Sequence, residues 1–398
     1  MTDPELVVRI AAKGDGVTAD GRFLAGAVPG DRVDRDGSII RGPNHIDAAC
    51  RHFGKCGGCQ LQQADDYVLA QFVRDRVLNA AEGQDVVPEH ILPVHQSPPG
   101  SRRRAALHAI KTQNGSVLGY REEGSHKIVD LKECPVLLPQ LVQLVAPLRS
   151  FVAQYGGKGA IEIALTAVDQ GVDCAITNVE LEGLEATEAA LEFARENSIA
   201  RLSIDQGYGP DTVWEPDPVT VTLGGVPVGF PPGAFLQATR DAQQIMVADA
   251  VNWIGDAKLV ADLFAGLGTF AFALAKGRRI LAAEAEGASH LACKSAAGHA
   301  VGLIHAMHRD LFRNPLTSEE IDRFDAVLLD PPRAGAKDQV MQIAESALAK
   351  VIYISCNPSS WARDAKRLCD AGFKLKEVRP VGQFRWSTHV ELTSLFER

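Results

Sequence analysis

The chain has 398 residues, which at about 100–200 residues per domain predicts two or three domains. It is 46% hydrophobic and 23% charged, a composition that excludes a disordered, collagen-like or disulfide-scaffold protein. The net charge of −9 excludes a surface that is basic throughout, so contact with nucleic acid must come from a local patch. No early apolar run is long enough for a signal peptide, and none approaches the ~20 residues that span a bilayer. A soluble, cytoplasmic protein is expected.

Residues 1–45 hold short alternating stretches (LVVRI, RFLAGAV, DRVDRDGSII) broken by GDG, PGD and DG turns. This pattern predicts a small antiparallel β module, an abbreviated barrel. The cluster Cys50-RHFGK-Cys56-GG-Cys59 follows. Cytosolic thiols are kept reduced, so the cluster reads as metal ligation rather than disulfides. The two glycines let the backbone fold tightly enough for both thiolates to face one centre. Cys134, in LKECP, is the best candidate for a fourth ligand. Four thiolates can hold zinc or an iron–sulfur cluster. Cys174, Cys293 and Cys369 read as buried structural thiols.

Residues 65–81 show helical spacing. A Pro-rich connector, VVPEHILPVHQSPPG, leads into SRRRAALHAIK. Residues 101–127 carry Arg102, Arg103, Arg104, Lys111, Arg121 and Lys127 against Glu122 and Glu123. The segment is either a phosphate-contacting strand or an edge strand blunted by charge. From about 140 to 230 helix and strand patterns mix without nameable chemistry. After 255 the rhythm is strand–helix–strand (KLVADLF, FAFALAK, RILAAEAEG, DAVLLD, VIYISC), which argues for a parallel sheet with helices on both faces.

The turn in Asp262-LFAGLG-Thr269 places Gly266 and Gly268 between a strand and a helix, where small residues let a nucleotide approach the backbone. Glu284 and Glu286 compete as the acid at the end of the next strand that would bind ribose hydroxyls. The turn lacks the full G-x-G-x-x-G, which favours S-adenosylmethionine over NAD or FAD. Asp330-Pro331-Pro332-Arg333 ends a strand where open α/β sheets bind ligands. At the equivalent edge Cys356, in SCNPSS, is placed to be an exposed nucleophile. Glu391 stands among apolar and hydroxylic residues, so its pKa should be raised and it could exchange protons near neutrality.

In sequence order C-x5-C-x2-C with GGCQLQ, SRRRA, IVDLKECP, FLQ, DLFAGLGTF, LDPPR, ISCNP and HVE together resemble the RNA 5-methyluridine methyltransferases, from about residue 50 to the end. The resemblance implies an α/β chain with a Rossmann-like S-adenosylmethionine-dependent methyltransferase domain over 236–398. It also implies a central α+β iron–sulfur domain over 46–235, whose helix 65–81 packs on the catalytic domain, and an RNA-binding module over 1–45. It implies a [4Fe–4S] cluster on Cys50, Cys56, Cys59 and Cys134. S-adenosylmethionine would be held by Gln237, Phe264, Thr269, Glu286 and Asp330, with Gly266, Gly268 and Asp310 in the same set. Glu286 is favoured over Glu284 because the family's acid directly precedes Gly.

Cys356 would be the nucleophile that attacks C6 of uracil, and Glu391 the base that removes the C5 proton. The target base must be unstacked, with Arg102, Arg103, Arg104 and Arg333 as phosphate contacts. The expected substrate is 23S rRNA, with tRNA as the alternative and a monomer as the working state. The rival from another class is an inactive iron–sulfur RNA-binding protein, and a third reading gives the cluster an electron-transfer role.

Overall fold

The computed structural model describes residues 4–398, so residues 1–3 of the expected β module lie outside the described residues. Strands β1 (Glu5–Ile10), β2 (Gly16–Thr18), β3 (Phe23–Leu24), β4 (Arg32–Val33) and β5 (Ile39–Ile40) form one antiparallel sheet in the order β3-β2-β1-β4-β5. Its core is small: Val7, Ala27 and Val33. Buried Asp31 ties the sheet to the next segment, accepting from the Gly42 N–H at 2.8 Å and pairing with His45 at 2.8 Å.

Helix α1 (Asp66–Glu82) is capped by Asp65, whose side chain accepts from the Val68 N–H. Its buried face (Val68, Leu69, Phe72, Val73, Val77) joins the core of the C-terminal sheet described below. Two short strands, β6 (His90–Ile91) and β7 (His95–Gln96), lie in the segment expected to be a mere connector. Each pairs in parallel with a strand near the C-terminus.

Next come β8 (Arg104–Thr112), β9 (Gly115–Gly119), α2 (Pro139–Gln143), α3 (Val145–Tyr155), β10 (Ile161–Val168), β11 (Gly171–Thr177), α4 (Gly183–Glu196), β12 (Ile199–Asp205) and β13 (Pro210–Trp214). They make a six-stranded sheet in the order β13-β12-β11-β10-β8-β9 with its own core around Leu107, Leu148, Ile163 and Leu202. Strand β8 is therefore interior, between β10 and β9, with Ala105, Leu107 and Ala109 buried on alternate positions. Arg104 and Lys111 therefore stand on an interior strand, and the sheet edge within the basic segment is β9, which carries no charged residue.

A hairpin, β14 (Thr220–Leu223) and β15 (Val226–Gly229), leads to α5 (Arg240–Ile254). The last part alternates β16 (Leu259–Leu263), α6 (Thr269–Leu274), β17 (Arg279–Glu284), α7 (Gly287–Ala297), β18 (Leu303–His308), α8 (Ser318–Ile321), β19 (Ala326–Leu329), α9 (Lys337–Glu345), β20 (Lys350–Ser355), α10 (Pro358–Asp370), β21 (Lys374–Gly382) and β22 (Glu391–Glu397). The sheet order is β18-β17-β16-β19-β20-β22-β21-β6, with β7 also on β21. The five strands from β18 to β20 are parallel, and β22 runs antiparallel to both its neighbours. Strands such as Val260–Leu263 and Val327–Leu329 are buried throughout, as expected when helices cover both faces of a parallel sheet. One face packs against α1, α9 and α10, the other against α5, α6, α7 and the β14–β15 hairpin. The strand order reverses between β16 and β19, and the crevice at the carboxyl ends of those strands is where such sheets bind ligands. Among the described residues no helix is long and apolar enough to cross a membrane.

Candidate active site

A cavity of about 720 Å³ opens at that switch point. Gln237, Phe264, Gly266, Thr269, Glu286, Asp330, Arg333, Cys356 and Glu391 all line it. Strand register explains how distant residues meet there. In the antiparallel β20–β22 pair Ser355 faces Leu392, so one step further places Cys356 beside Glu391. Asp330 directly follows β19, the parallel neighbour of β20.

The turn after β16 is held by unusual backbone. Phe264, Gly266 and Gly268 all have positive φ, at 65°, 55° and 91°. A Cβ on Gly266 would meet nothing within 4 Å, leaving open space beside the turn. Gly268 differs. It does not line the cavity, and a Cβ there would stand 2.7 Å from the Phe272 ring and 3.0 Å from the Cys293 sulfur. Its lack of a side chain serves close packing of the turn on α6 and α7.

The two candidate acids do different work. Glu284 Oε2 accepts from the Gly266 N–H at 2.8 Å, and its Oε1 accepts from Ala285 and Glu286 N–H. Glu284 thus fixes the glycine turn against the end of β17. Glu286 caps α7, accepting from Ala288 and Ser289 N–H, and those bonds hold its carboxyl below the usual glutamate range. Both carboxylates line the cavity. Asp310 is not among the lining residues. Its carboxylate caps a local turn through Phe312 and Arg313 N–H, while Arg309, Leu311 and Phe312 face the cavity instead.

The electrostatics are those of an acid-rich, partly dry pocket. Burial, then the nearby Asp330 charge, push Glu391 up to about 8, against a smaller lowering by a hydrogen bond from Gln383. Burial pushes Asp330 up to about 7. The Cys356 thiol rises to about 11, first through burial and then through the charges of Glu391 and Asp330. Behind the turn Asp262 is fully buried, with neither carboxyl oxygen hydrogen-bonded, and burial beside Asp330 raises it strongly. A cation entering this cavity would lower the pKa of Glu391, Asp330 and Cys356, because opposite charge favours the ionised carboxylate and thiolate forms. The pocket therefore fits a positively charged ligand.

Gln383 carried no signal in the sequence, yet it is buried at the centre of the polar chain. It donates to Gln237 Oε1 at 3.2 Å and accepts from the Ala238 N–H at 3.0 Å, and Gln237 in turn reaches Asp330 Oδ2 at 3.4 Å. On the far side, Asn357 caps α10 and donates to the Arg333 carbonyl at 2.9 Å, joining the Asp-Pro-Pro-Arg loop to the Cys356 turn.

The arginine run divides. Arg103 is only 4% exposed, donating to the Gln237 carbonyl at 2.8 Å and to Gln243 Oε1 at 2.6 Å. Its expected role as a phosphate contact is corrected: it joins the central sheet to the segment carrying Gln237. Arg104 donates to the Leu236 carbonyl at 2.7 Å and lies over the exposed Phe235 ring. Arg102 lies over Phe384.

Cys50, Cys56, Cys59 and Cys134 line a second, smaller cavity. No cysteine of the chain is in a disulfide. Burial drives the Cys59 thiol up to about 12, with the other three cysteines adding to the rise. Neither Gly57 nor Gly58 has positive φ. Gly57 is needed for proximity, since a Cβ would stand 3.1 Å from the Arg121 carbonyl oxygen. Among the described residues no three His, Cys, Asp or Glu side chains close on a single-ion site.

Residues 228–398 match the family model for tRNA (uracil-5-)-methyltransferase. A protein of Zymomonas mobilis described as an uncharacterized RNA methyltransferase is 48% identical over 98% of this chain and 99% of its own. The 23S rRNA (uracil(1939)-C(5))-methyltransferase RlmD of Shewanella denitrificans is 28% identical over 94% of this chain and 91% of its own. The solved tRNA (uracil-54, C5)-methyltransferase of Pyrococcus abyssi, in complex with S-adenosyl-L-homocysteine, has the same fold, with a TM-score of 0.75 at 20% identity, covering 99% of this chain and 100% of its own. With a family match across the catalytic sheet and near-half identity along almost the whole length, the chain belongs to the RNA 5-methyluridine methyltransferases.

Proposed function

We propose that this chain methylates C5 of a uridine in 23S rRNA through a covalent bond between Cys356 and C6 of the uracil. The observation that carries the proposal is the convergence of Cys356, Glu391 and Asp330 on one cavity with the glycine turn of β16. Gln237, Phe264, Gly266, Thr269, Glu286 and Asp330 would hold S-adenosylmethionine, and the acid-rich lining suits its positive sulfur. That molecule supplies an electrophilic methyl group.

The C5 carbon of uracil is too weak a nucleophile to take a methyl group unaided. The Cys356 thiol gives up its proton to solvent, and addition of the resulting thiolate to C6 moves the C5–C6 electron pair into an enolate and makes C5 nucleophilic. After C5 has been methylated, Glu391 removes its proton, the C5=C6 bond re-forms and the thiolate leaves. Only ionised Glu391 can accept that proton. Its raised pKa of about 8 keeps it near the balance point that efficient general bases occupy.

Cys50, Cys56, Cys59 and Cys134 line one cavity, and four thiolates there would suit a [4Fe–4S] cluster. It would be structural, bracing the loop beside the 121–123 backbone. The ribosomal substrate is favoured by the likeness to the 23S enzyme over most of both chains. The β1–β5 sheet would recruit RNA.

The test is transfer of labelled methyl from S-adenosylmethionine to unmodified 23S rRNA and to tRNA, with nucleoside analysis. Label in 5-methyluridine of 23S rRNA, abolished by Cys356→Ala, is the expected result. Label in tRNA alone would overturn the substrate assignment, and full activity of Cys356→Ala would overturn the covalent route.

A further inference from the structure

Between the two cavities runs a row of four side chains. Arg102 lines the cysteine cavity and lies over the Phe384 ring, its guanidinium carbon 5.2 Å from the centroid. Phe384 meets His389 edge to face at 5.8 Å. Arg333 Nη2 approaches His389 Nδ1 at 3.3 Å, and Arg333 lines the catalytic cavity. Phe384 and His389 belong to the loop joining β21 to β22, which ends at Glu391.

This row is built differently from the buried arginines. Arg103 donates to a backbone carbonyl and a side-chain amide, and Arg379 is locked bidentate onto Asp249. By contrast, Arg102 is half-buried, with its Nε donating to the Arg104 carbonyl at 3.0 Å, Arg333 is exposed, and neither pairs with a carboxylate among the described residues. In a chain of net charge −9, two such guanidiniums flanking two rings are spare capacity for an anion. Burial and the guanidiniums of Arg333 and Arg102 hold the His389 pKa below its ordinary value. The ring is thus neutral at pH 7, a surface for stacking rather than a third cation. Guanidiniums that hold phosphates beside rings that take bases are the elements of single-strand recognition.

We propose that Arg102, Phe384, His389 and Arg333 form a seat for the nucleotide adjacent to the target uridine, with its base on the rings and its phosphate between the guanidiniums. This rests on the proposed RNA substrate and goes beyond it, because it makes an unpaired flanking base part of what the enzyme recognises. The seat ends at Arg333, beside Cys356, so the neighbour of a uridine in the catalytic cavity falls on it.

The experiment uses the full chain and fluorescein-labelled r(AAAAUAAAA), intact or abasic immediately 5′ or 3′ of the uridine. Phe384→Leu keeps the loop apolar, and S-adenosylhomocysteine binding checks that the cavity is intact. Phe384→Leu should weaken RNA binding by about 5- to 150-fold, the span of one lost base–ring stack. One abasic flank should weaken wild type to a similar degree, and combining the two should add little, as expected for partners in one contact. Equal affinity of wild type and variant, or losses that multiply at both flanks, would overturn the seat. If Phe384→Leu loses S-adenosylhomocysteine binding, Arg102→Gln, which lies outside that loop, decides: weaker RNA binding with a smaller salt slope supports the seat, and unchanged affinity and slope overturn it. Methyl transfer to 23S rRNA, run in parallel, separates failure of the seat from failure of the proposed function.

Discussion

Replacing Glu391 by Gln should abolish turnover yet make the ligand-free protein more stable at neutral pH. Glu391 is 4% exposed, and its pKa rises from 4.5 to about 8. The folded state keeps its proton after the unfolded chain has released it. Stability from this group is therefore full below about pH 4.5 and is lost as the pH climbs to about 8. At pH 7 the loss covers about 2.5 pH units, or about 3 kcal/mol at ~1.4 kcal/mol per unit. Gln has nearly the same shape and never ionises, so the variant should escape that loss. Urea unfolding of both proteins at pH 5, 6, 7, 8 and 9 measures it, followed by fluorescence of the buried Trp253, Trp361 and Trp386. The gap should be under about 1 kcal/mol at pH 5, widen to about 3 by pH 7 and flatten above 8. Parallel pH profiles for the two proteins would refute the account of a buried, neutral carboxyl.

Two further substitutions separate structural from functional roles. Arg103→Met leaves the Gln237 carbonyl and Gln243 without their donor. It should cost about 1–3 kcal/mol without changing the salt dependence of RNA binding, whereas Arg102→Gln should lower that slope by about 0.7–1; a changed slope for Arg103→Met would contradict its buried role. Gly268→Ala must hold a left-handed backbone and press on Phe272 and Cys293. It should cost about 2–5 kcal/mol, against about 1–2 for Gly266→Ala, where space is open. Equal melting temperatures for the two alanine variants would count against this.

The sequence shows its parallel sheet plainly because strands such as VLL at 327–329 are apolar on both faces, and Gly turns and polar residues mark their ends. Cys356 and Glu391 were legible for the same reason: each breaks an apolar run at a strand end. Strands β6 and β7 were hidden, since two residues among prolines show no alternation, and their pairing is set by β21 nearly 290 residues later. Arg103 was misjudged because a run of three arginines reads as surface charge. What buries it is a carbonyl 134 residues away. Asp310 sits between residues that do face the cavity, but its carboxylate turns to its own loop. Gln383 lies in an unremarkable VGQF, and only the folded strand ends bring it to Gln237.

The catalytic sheet draws α1, β6 and β7 from residues 66–96, although its other strands begin at Leu259. A chain leaving the ribosome therefore makes the first parts of that layer long before their partners exist. The sheet over 104–214 lies wholly between them and has its own core, so it can close while the apolar face of α1 waits uncovered. The catalytic half is the last to be completed, and cutting the gene at residue 236 would yield a fragment missing one sheet edge and one covering helix.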